Sequence, residues 1–173
     1  DGVVVNRSLL RYLENALRGG SNWKFRGLHV YNLASGEYDM ATLAQKYDTL
    51  AAERNFEVFM LLPEVPEVFA NDYTHSAEKV AAYKSNVETL ISKNSGKSVV
   101  LWTPLASGNA TINGYINDYA DAIREIVSED SSVYFFDANR FMNENMEEIP
   151  SLKNNWFEEG SYVSPMCSVD VVY

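Results

Sequence analysis

Cysteine and histidine, the side chains that most often carry reactive chemistry, are scarce in this sequence. Cys167 is the single cysteine, so the sequence contains neither a disulfide pair nor a cysteine-rich zinc motif. His29 and His75 are the only histidines. Chemistry that needs an imidazole base therefore has two candidate residues.

Basic clusters and long apolar runs are also missing. The 14 Lys and Arg residues are outnumbered by 24 Asp and Glu, for a formal charge of -10, and such a chain repels phosphate backbones, so we expect no nucleic-acid partner. No stretch approaches the roughly 18 apolar residues of a membrane span, so we expect no membrane insertion. Gly96-Lys97-Ser98 imitates the end of a phosphate-binding loop but lacks its first glycine and its helix. We expect no cofactor and no metal.

The length and the apolar content are those of one compact domain. With 173 residues and 46% hydrophobic content, the chain can bury a core without metals or disulfides. The sequence begins with Asp1 instead of Met. We therefore expect residues 1–173 to form a single domain excised from a longer protein.

Helical and strand patterns alternate along the chain. Leu43, Tyr47, Leu50 and Ala51 mark one helical face, and Phe56 to Leu62 is apolar enough for a strand covered on both faces. This alternation indicates βαβ units with a parallel sheet, whose sites form at the carboxyl ends of the strands. The predicted helices are Ser8 to Leu17, Met40 to Arg54, Ser76 to Lys93, Tyr115 to Ser128 and Arg140 to Glu147. The predicted strands are Gly27 to Leu33, Phe56 to Leu62, Ser98 to Pro104 and Ser132 to Ala138.

The loops after these strands resemble those of the SGNH or GDSL hydrolases, a family of esterases and lipases. Glu159-Gly160-Ser161-Tyr162-Val163-Ser164-Pro165 is similar to the family's Asp-Gly-x-His block with its Ser-Pro. Asp1-Gly2 stands where the Gly-Asp-Ser block would end, Asn32 to Gly36 resembles the second block, and Pro63 to Pro66 takes the place of Gly-x-Asn-Asp. The resemblance covers nearly the whole chain. It implies an α/β three-layer sandwich with a parallel, flavodoxin-like sheet.

The same resemblance assigns positions for a catalytic site. The family positions fall on Gly2 for the nucleophile, Ala34 or Gly36 and Val65 for the oxyanion hole, Glu159 for the acid and Tyr162 for the base. Two further patches look family-like without being catalytic, namely Asn117-Asp118-Tyr119, and Val133 to Asp137 followed by Ala138-Asn139.

The residues at these positions cannot perform the family's reaction in the ordinary way. Gly2 has no hydroxyl, and a tyrosine such as Tyr162, with an ordinary pKa near 10, is a weak substitute for imidazole. Val65 offers no side-chain hydrogen bond to an oxyanion, and loss of one such donor costs on the order of 100- to 1000-fold in turnover. We expect ordinary acyl transfer to be absent or residual.

Other residues could rebuild a site. Ser8 lies near the nucleophile position but is best explained as a helix cap, and His29 as a strand residue. His75 is the one histidine in a loop at the expected site edge, although a solvent-facing cap residue is its simpler interpretation. Glu64 and Glu67 could form an acid/base carboxylate pair, or could be solvated loop residues.

The end of the sequence predicts an additional strand. Val169 to Tyr173 resembles the segment that precedes Gly-Asp-Ser in the family, and no such strand precedes Asp1. We expect Val169 to Tyr173 to supply this first strand, within the chain or by exchange with a neighbouring copy.

Two functions of different classes follow from this sequence. The favoured one is a non-catalytic module that binds a glycan or a protein within a larger, extracytoplasmic assembly. The alternative is a weakly active or rebuilt ester hydrolase acting on acyl or acetyl groups of lipid or carbohydrate. Trp102, Trp156 and Tyr162 could form an aromatic platform for sugars, or could be residues of the core edge.

Overall fold

A computed structural model describes residues 31, 38–63, 65–69, 74–158 and 162–163. Three sequence predictions lie outside these residues. They are the helix Ser8 to Leu17, the strand Gly27 to Leu33 except for Tyr31, and the strand Val169 to Tyr173.

Helices and strands alternate over the described residues, as the sequence predicts. The helices are α1 (Met40–Ala51), α2 (Pro66–Phe69), α3 (Ala77–Lys93), α4 (Ala110–Glu129), α5 (Ala138–Glu148) and α6 (Leu152–Trp156). The strands are β1 (Val58–Leu61), β2 (Ser98–Trp102), β3 (Tyr134–Phe136), β4 (Phe157–Glu158) and β5 (Tyr162–Val163).

The first three strands form a parallel sheet in the order β1-β2-β3, while β4 and β5 form a short antiparallel pair. Val58 lies opposite Ser98, and Val100 lies opposite Tyr134. Parallel neighbours require a crossover, and α3 and α4 make the two crossovers in this sheet. The chain is therefore an α/β protein with a parallel sheet, which confirms the fold class at this level.

The main core lies where α1, α3 and α4 pack together and against the sheet. Helix α3 contacts both α1 and α4, and its fully buried Val87 and Leu90 meet Leu101 of β2 and Ile123 of α4 in one apolar cluster. Burial of such side chains is the main stabilising term of the fold. None of the helices within the described ranges is long and apolar enough to cross a membrane.

A second apolar cluster joins α5, α6 and β4. It contains the buried residues Ala106, Met142, Trp156 and Phe157. Trp156 is 2% exposed, and Trp102 of β2 is 7% exposed. Both indoles thus belong to the core edge and not to an open sugar platform, and the side chain of Tyr162 lies outside the described residues.

Strand β1 differs from the prediction of burial on both faces. Phe59 and Leu61 are buried, whereas Val58 is 54% exposed and Met60 is partly exposed. The helices α1, α3 and α4 bury the Phe59 face. The apolar run thus predicted a strand correctly, but it did not predict that one face of this strand would be partly exposed.

Helix α4 begins well before the predicted Tyr115 because Asn109 caps it. The Asn109 side chain accepts hydrogen bonds from the backbone amides of Thr111 and Ile112, which satisfies donors that a helix start leaves unpaired. Residues 110–114, which include Asn113 and Gly114, therefore belong to the helix and not to the loop before it.

Removing a buried side chain of α4 should destabilise the fold strongly. Ile123 is 0% exposed and Ile149 is 47% exposed. We expect Ile123→Ala to lower the free energy of unfolding by about 2 to 5 kcal/mol through lost burial and a cavity, measured by urea denaturation. Ile149→Ala is the control and should cost much less; equal losses would contradict the packing described for α4.

Candidate functional site

A buried carboxylate, that of Glu67, lies at the centre of the candidate site. Glu67 belongs to the short helix α2, which follows β1 at the carboxyl end of the sheet, and it is 0% exposed. Its Oε1 accepts a hydrogen bond from the Tyr119 hydroxyl at 2.9 Å and lies 2.8 Å from Nδ1 of His75. Its Oε2 is buried without a hydrogen-bond partner among the described residues.

His75 lies between two carboxylates. Its Nδ1 meets Glu67, and its Nε2 lies 2.9 Å from Oδ2 of Asp118 on α4. The ring also stacks on Tyr115, with 4.6 Å between centroids and 11° between planes. The next residue, Ser76, caps α3 by accepting a hydrogen bond from the Lys79 amide. The imidazole therefore ties α2 and the start of α3 to α4.

This environment favours the imidazolium form of His75. Carboxylates only accept hydrogen bonds, so a ring that meets one at each nitrogen must donate from both. Burial alone lowers the pKa of His75, but the hydrogen bonds and the charges of Glu67 and Asp118 outweigh burial and raise that pKa above its ordinary value of 6.5. Protonated in this way, His75 has no lone pair with which to act as a base.

Two tyrosines complete the surroundings of Glu67. Tyr119 and Tyr83 are buried and meet edge to face, with 4.8 Å between their ring centroids. Burial, together with the hydrogen bond to Glu67, raises the pKa of Tyr119. Tyr119 therefore stays a neutral donor to the carboxylate, while the Tyr83 hydroxyl donates to the backbone carbonyl of Pro63 at 3.4 Å.

A cleft of about 470 Å³ opens beside His75, between α3 and α4. Small apolar side chains and a rim of charged ones line it: Ala77, Val80, Ala81 and Lys84 from α3, and Asp118, Asp121, Ala122 and Glu125 from α4. Lys84 bonds Glu125 at 3.1 Å. No group of three His, Cys, Asp or Glu side chains that could hold a metal ion occurs within the described residues.

A second polar cluster lies at the carboxyl ends of β2 and β3. Arg124 of α4 donates two hydrogen bonds to Asp137, each 2.8 Å long, and a third to Asn139 at 3.1 Å. Burial raises the pKa of Asp137, but the Arg124 guanidinium outweighs it and holds that pKa below its ordinary value. Asp137 also caps α5 through the Arg140 amide. Each of these residues has a hydrogen-bond partner. We therefore interpret the cluster as structural, since it attaches α4 to the segment that follows β3.

This cluster joins the Asn117-Asp118-Tyr119 segment of α4 to the segment that contains β3, Ala138 and Asn139. The Asn139 side chain donates to Asn117 at 3.1 Å, and the Asn139 amide donates to Thr103 at 2.8 Å. Since Asp118 follows Asn117, the same stretch of α4 holds Asn139 on one side and His75 on the other.

Of the five positions assigned by the family resemblance, the described residues include only Val65 and the backbone of Tyr162. Val65 is 2% exposed and belongs to the main core. The backbone of Tyr162 lies in β5, opposite Glu158 of β4. Gly2, Ala34 and Glu159 lie outside the described residues, as do Gly36, Ser8, His29 and Glu64.

Two interpretations drawn from the sequence are wrong. His75 is not a solvent-facing cap, because Ser76 makes the cap and only 17% of the His75 side chain is exposed. Glu67 is not a solvated loop residue, because it lies in α2 with a fully buried side chain. In both cases the contacts come from α4, which is distant in sequence.

The contribution of α4 to the site was not predicted from the sequence. Tyr115, Asp118 and Ala122 recur at helical spacing and therefore share one face, and Asp121 and Glu125 continue it. That spacing was visible in the sequence. The spacing could not indicate that His75 would lie against this face of α4.

Comparison of the sequence with family models and with curated proteins gives no match, and comparison with solved structures gives none either. The geometry of the site is therefore the basis for a functional inference.

The stability that His75 contributes should decrease as pH rises. A raised pKa in the folded state means that this contribution is complete below the ordinary pKa of 6.5 and is lost as pH rises through the folded-state pKa. We expect His75→Gln to cost about 1.5 to 3 kcal/mol at pH values just below the ordinary pKa of 6.5, the range for hydrogen bonds to charged groups. Urea unfolding of both proteins across neutral pH measures the difference.

The control for this prediction is Asp121→Asn, which removes a carboxylate from the same cleft without touching His75. It should leave the pH dependence unchanged. A difference between wild type and His75→Gln that grows with pH would contradict the ion pairs described here.

Proposed function

We propose that this chain is an SGNH-hydrolase-like α/β module, with the family's three-layer, flavodoxin-like arrangement, that binds a glycan and does not catalyse acyl transfer. The observation that carries the proposal is the pair of carboxylates on His75. A catalytic histidine needs a free nitrogen to take a proton from its nucleophile, and here Nδ1 meets Glu67 while Nε2 meets Asp118.

The burial of Val65 also supports the absence of acyl-transfer catalysis. In the family's third block a side chain must reach a developing oxyanion, whereas Val65 is apolar and buried in the core. Electrostatic stabilisation of the oxyanion is commonly the largest contribution to acyl-transfer catalysis. A module without it retains the scaffold for binding but loses the reaction.

A glycan suits the cleft beside His75. Small-molecule sites are concave, with a few polar groups placed around an apolar surface, and this cleft is lined by three alanines together with Lys84, Asp118, Asp121 and Glu125. Carboxylates accept hydrogen bonds from hydroxyl groups. The formal charge of -10 favours a neutral or cationic sugar over an anionic one.

The second candidate is an ester hydrolase rebuilt around His75. One observation favours it: Nδ1 of His75 meets the buried carboxylate of Glu67, which is how the third member of a triad orients its histidine. No nucleophilic hydroxyl or thiol bonds Nε2 among the described residues; Asp118 occupies that nitrogen.

Filling the cleft should abolish glycan binding. Ala81 and Ala82 are neighbours on α3 and both are exposed, but Ala81 lines the cleft and Ala82 does not. We expect the wild type to bind in a glycan-array experiment, Ala81→Trp to lose that binding because the indole occupies the cleft, and Ala82→Trp to retain it. A wild type that binds no glycan, or two variants that behave alike, would overturn the proposed ligand or its location.

Ester hydrolysis should be independent of the family positions. We expect any hydrolysis of p-nitrophenyl acetate by the chain to be unchanged in Glu159→Ala and Tyr162→Ala, because neither side chain should serve a working triad. Rates measured across a panel of p-nitrophenyl esters provide the check. A clear loss in either variant would favour the ester hydrolase.

A further inference from the structure

We propose that Asp118 shields a latent base: when Asp118 leaves Nε2, the imidazole of His75, still held by Glu67, faces the cleft with a reactive nitrogen. This proposal goes beyond glycan binding and does not depend on it. In this proposal Asp118 acts as a gate, because it controls access to Nε2 of His75 while the rest of the fold holds the imidazole in place.

The two carboxylates on His75 are not equivalent. The Glu67 side chain is 0% exposed and the Asp118 side chain is 60% exposed. A buried carboxylate cannot move into solvent without breaking the packing around it, whereas an exposed aspartate can exchange its partner for water. The contact at Nδ1 is therefore the fixed one, and the contact at Nε2 is the one that can open.

Other groups around the ring favour this arrangement. Tyr115 stacks on the imidazole and Tyr119 meets its edge, at 5.6 Å between centroids, so the ring keeps its orientation if Asp118 leaves. Tyr119 also donates to Glu67. From α3 the charged group on this cleft is Lys84, which pairs with Glu125 and Glu129 and so does not compete for Asp118 in this arrangement.

Both partners of the gate line the cleft, since His75 and Asp118 belong to its wall. When Asp118 moves away, Nε2 loses its hydrogen-bond acceptor, so the ring releases the Nε2 proton more readily. The proton on Nδ1 stays in place because Nδ1 still donates a hydrogen bond to Glu67. The lone pair then lies on Nε2, on the cleft side. An electrophile in the cleft would meet this nitrogen.

Diethyl pyrocarbonate tests the proposal, because an imidazole attacks this reagent only through an unprotonated, accessible nitrogen. In this reaction an N–C bond forms at the carbonyl, the C–O bond to ethyl carbonate breaks, and the remaining ring proton is lost to solvent. Modification of His75 in the intact chain is followed by mass spectrometry of its peptide near neutral pH. The peptide containing His29 serves as an internal reference.

Asp118→Ala should accelerate the modification of His75. We expect a rise of about two- to fivefold relative to the wild type, the factor that corresponds to loss of one partly exposed ion pair. Asp121→Ala is the matched control, since it removes an equally charged side chain from the same helix and the same cleft. It should leave the rate at His75 unchanged.

A second measurement separates gating from a general effect of charge. Proton NMR titration should show a lower pKa for His75 in Asp118→Ala than in the wild type, and an unchanged one in Asp121→Ala. Equal rates at His75 in all three proteins would overturn the proposal. So would equal acceleration by both variants, because the cleft's charge and not the contact at Nε2 would then control the reaction.

Discussion

The buried carboxylate of Glu67 is the constraint around which this end of the sheet is organised. A carboxylate removed from water needs donors or a counter-charge, and leaving one without either is expensive. Tyr119 of α4 and His75, which lies two residues before the start of α3, meet this need at Oε1 of Glu67. The positions of α2, α3 and α4 relative to one another are therefore tied to one side chain, and the cleft beside His75 follows from that arrangement.

Helix α4 carries the consequences of this constraint to the rest of the sheet. Its apolar side contributes Ile112, Ile116 and Ile123 to the core. Its polar residues on other faces hold His75 through Asp118 and anchor Asp137 and Asn139 through Arg124. One helix thus connects the site that follows β1 with the polar cluster that follows β3.

Much of the fold could be predicted from the sequence, and the candidate site only in fragments. The periodicity of α3 and the apolar run of β2 located both elements within a few residues, because helices and strands impose local repeats on side-chain polarity. His75 and Glu67 were recognised as candidates, and Asn117 to Tyr119 as a notable patch. Their connection was not predictable, since it depends on long-range packing and not on local spacing.

The sequence by itself determined the residue types, the alternation of helices and strands, the acidic charge and the absence of a cysteine pair. Each of those properties depends on a short segment or on a sum over the residues, and not on contacts between distant parts of the chain. Only the tertiary structure decided that Glu67 would be buried, that His75 would meet carboxylates at both ring nitrogens, and that Val65 would belong to the core. The physical reason is that burial and hydrogen-bond partnership are set by elements far apart in the chain, which the parallel crossovers bring to one edge of the sheet.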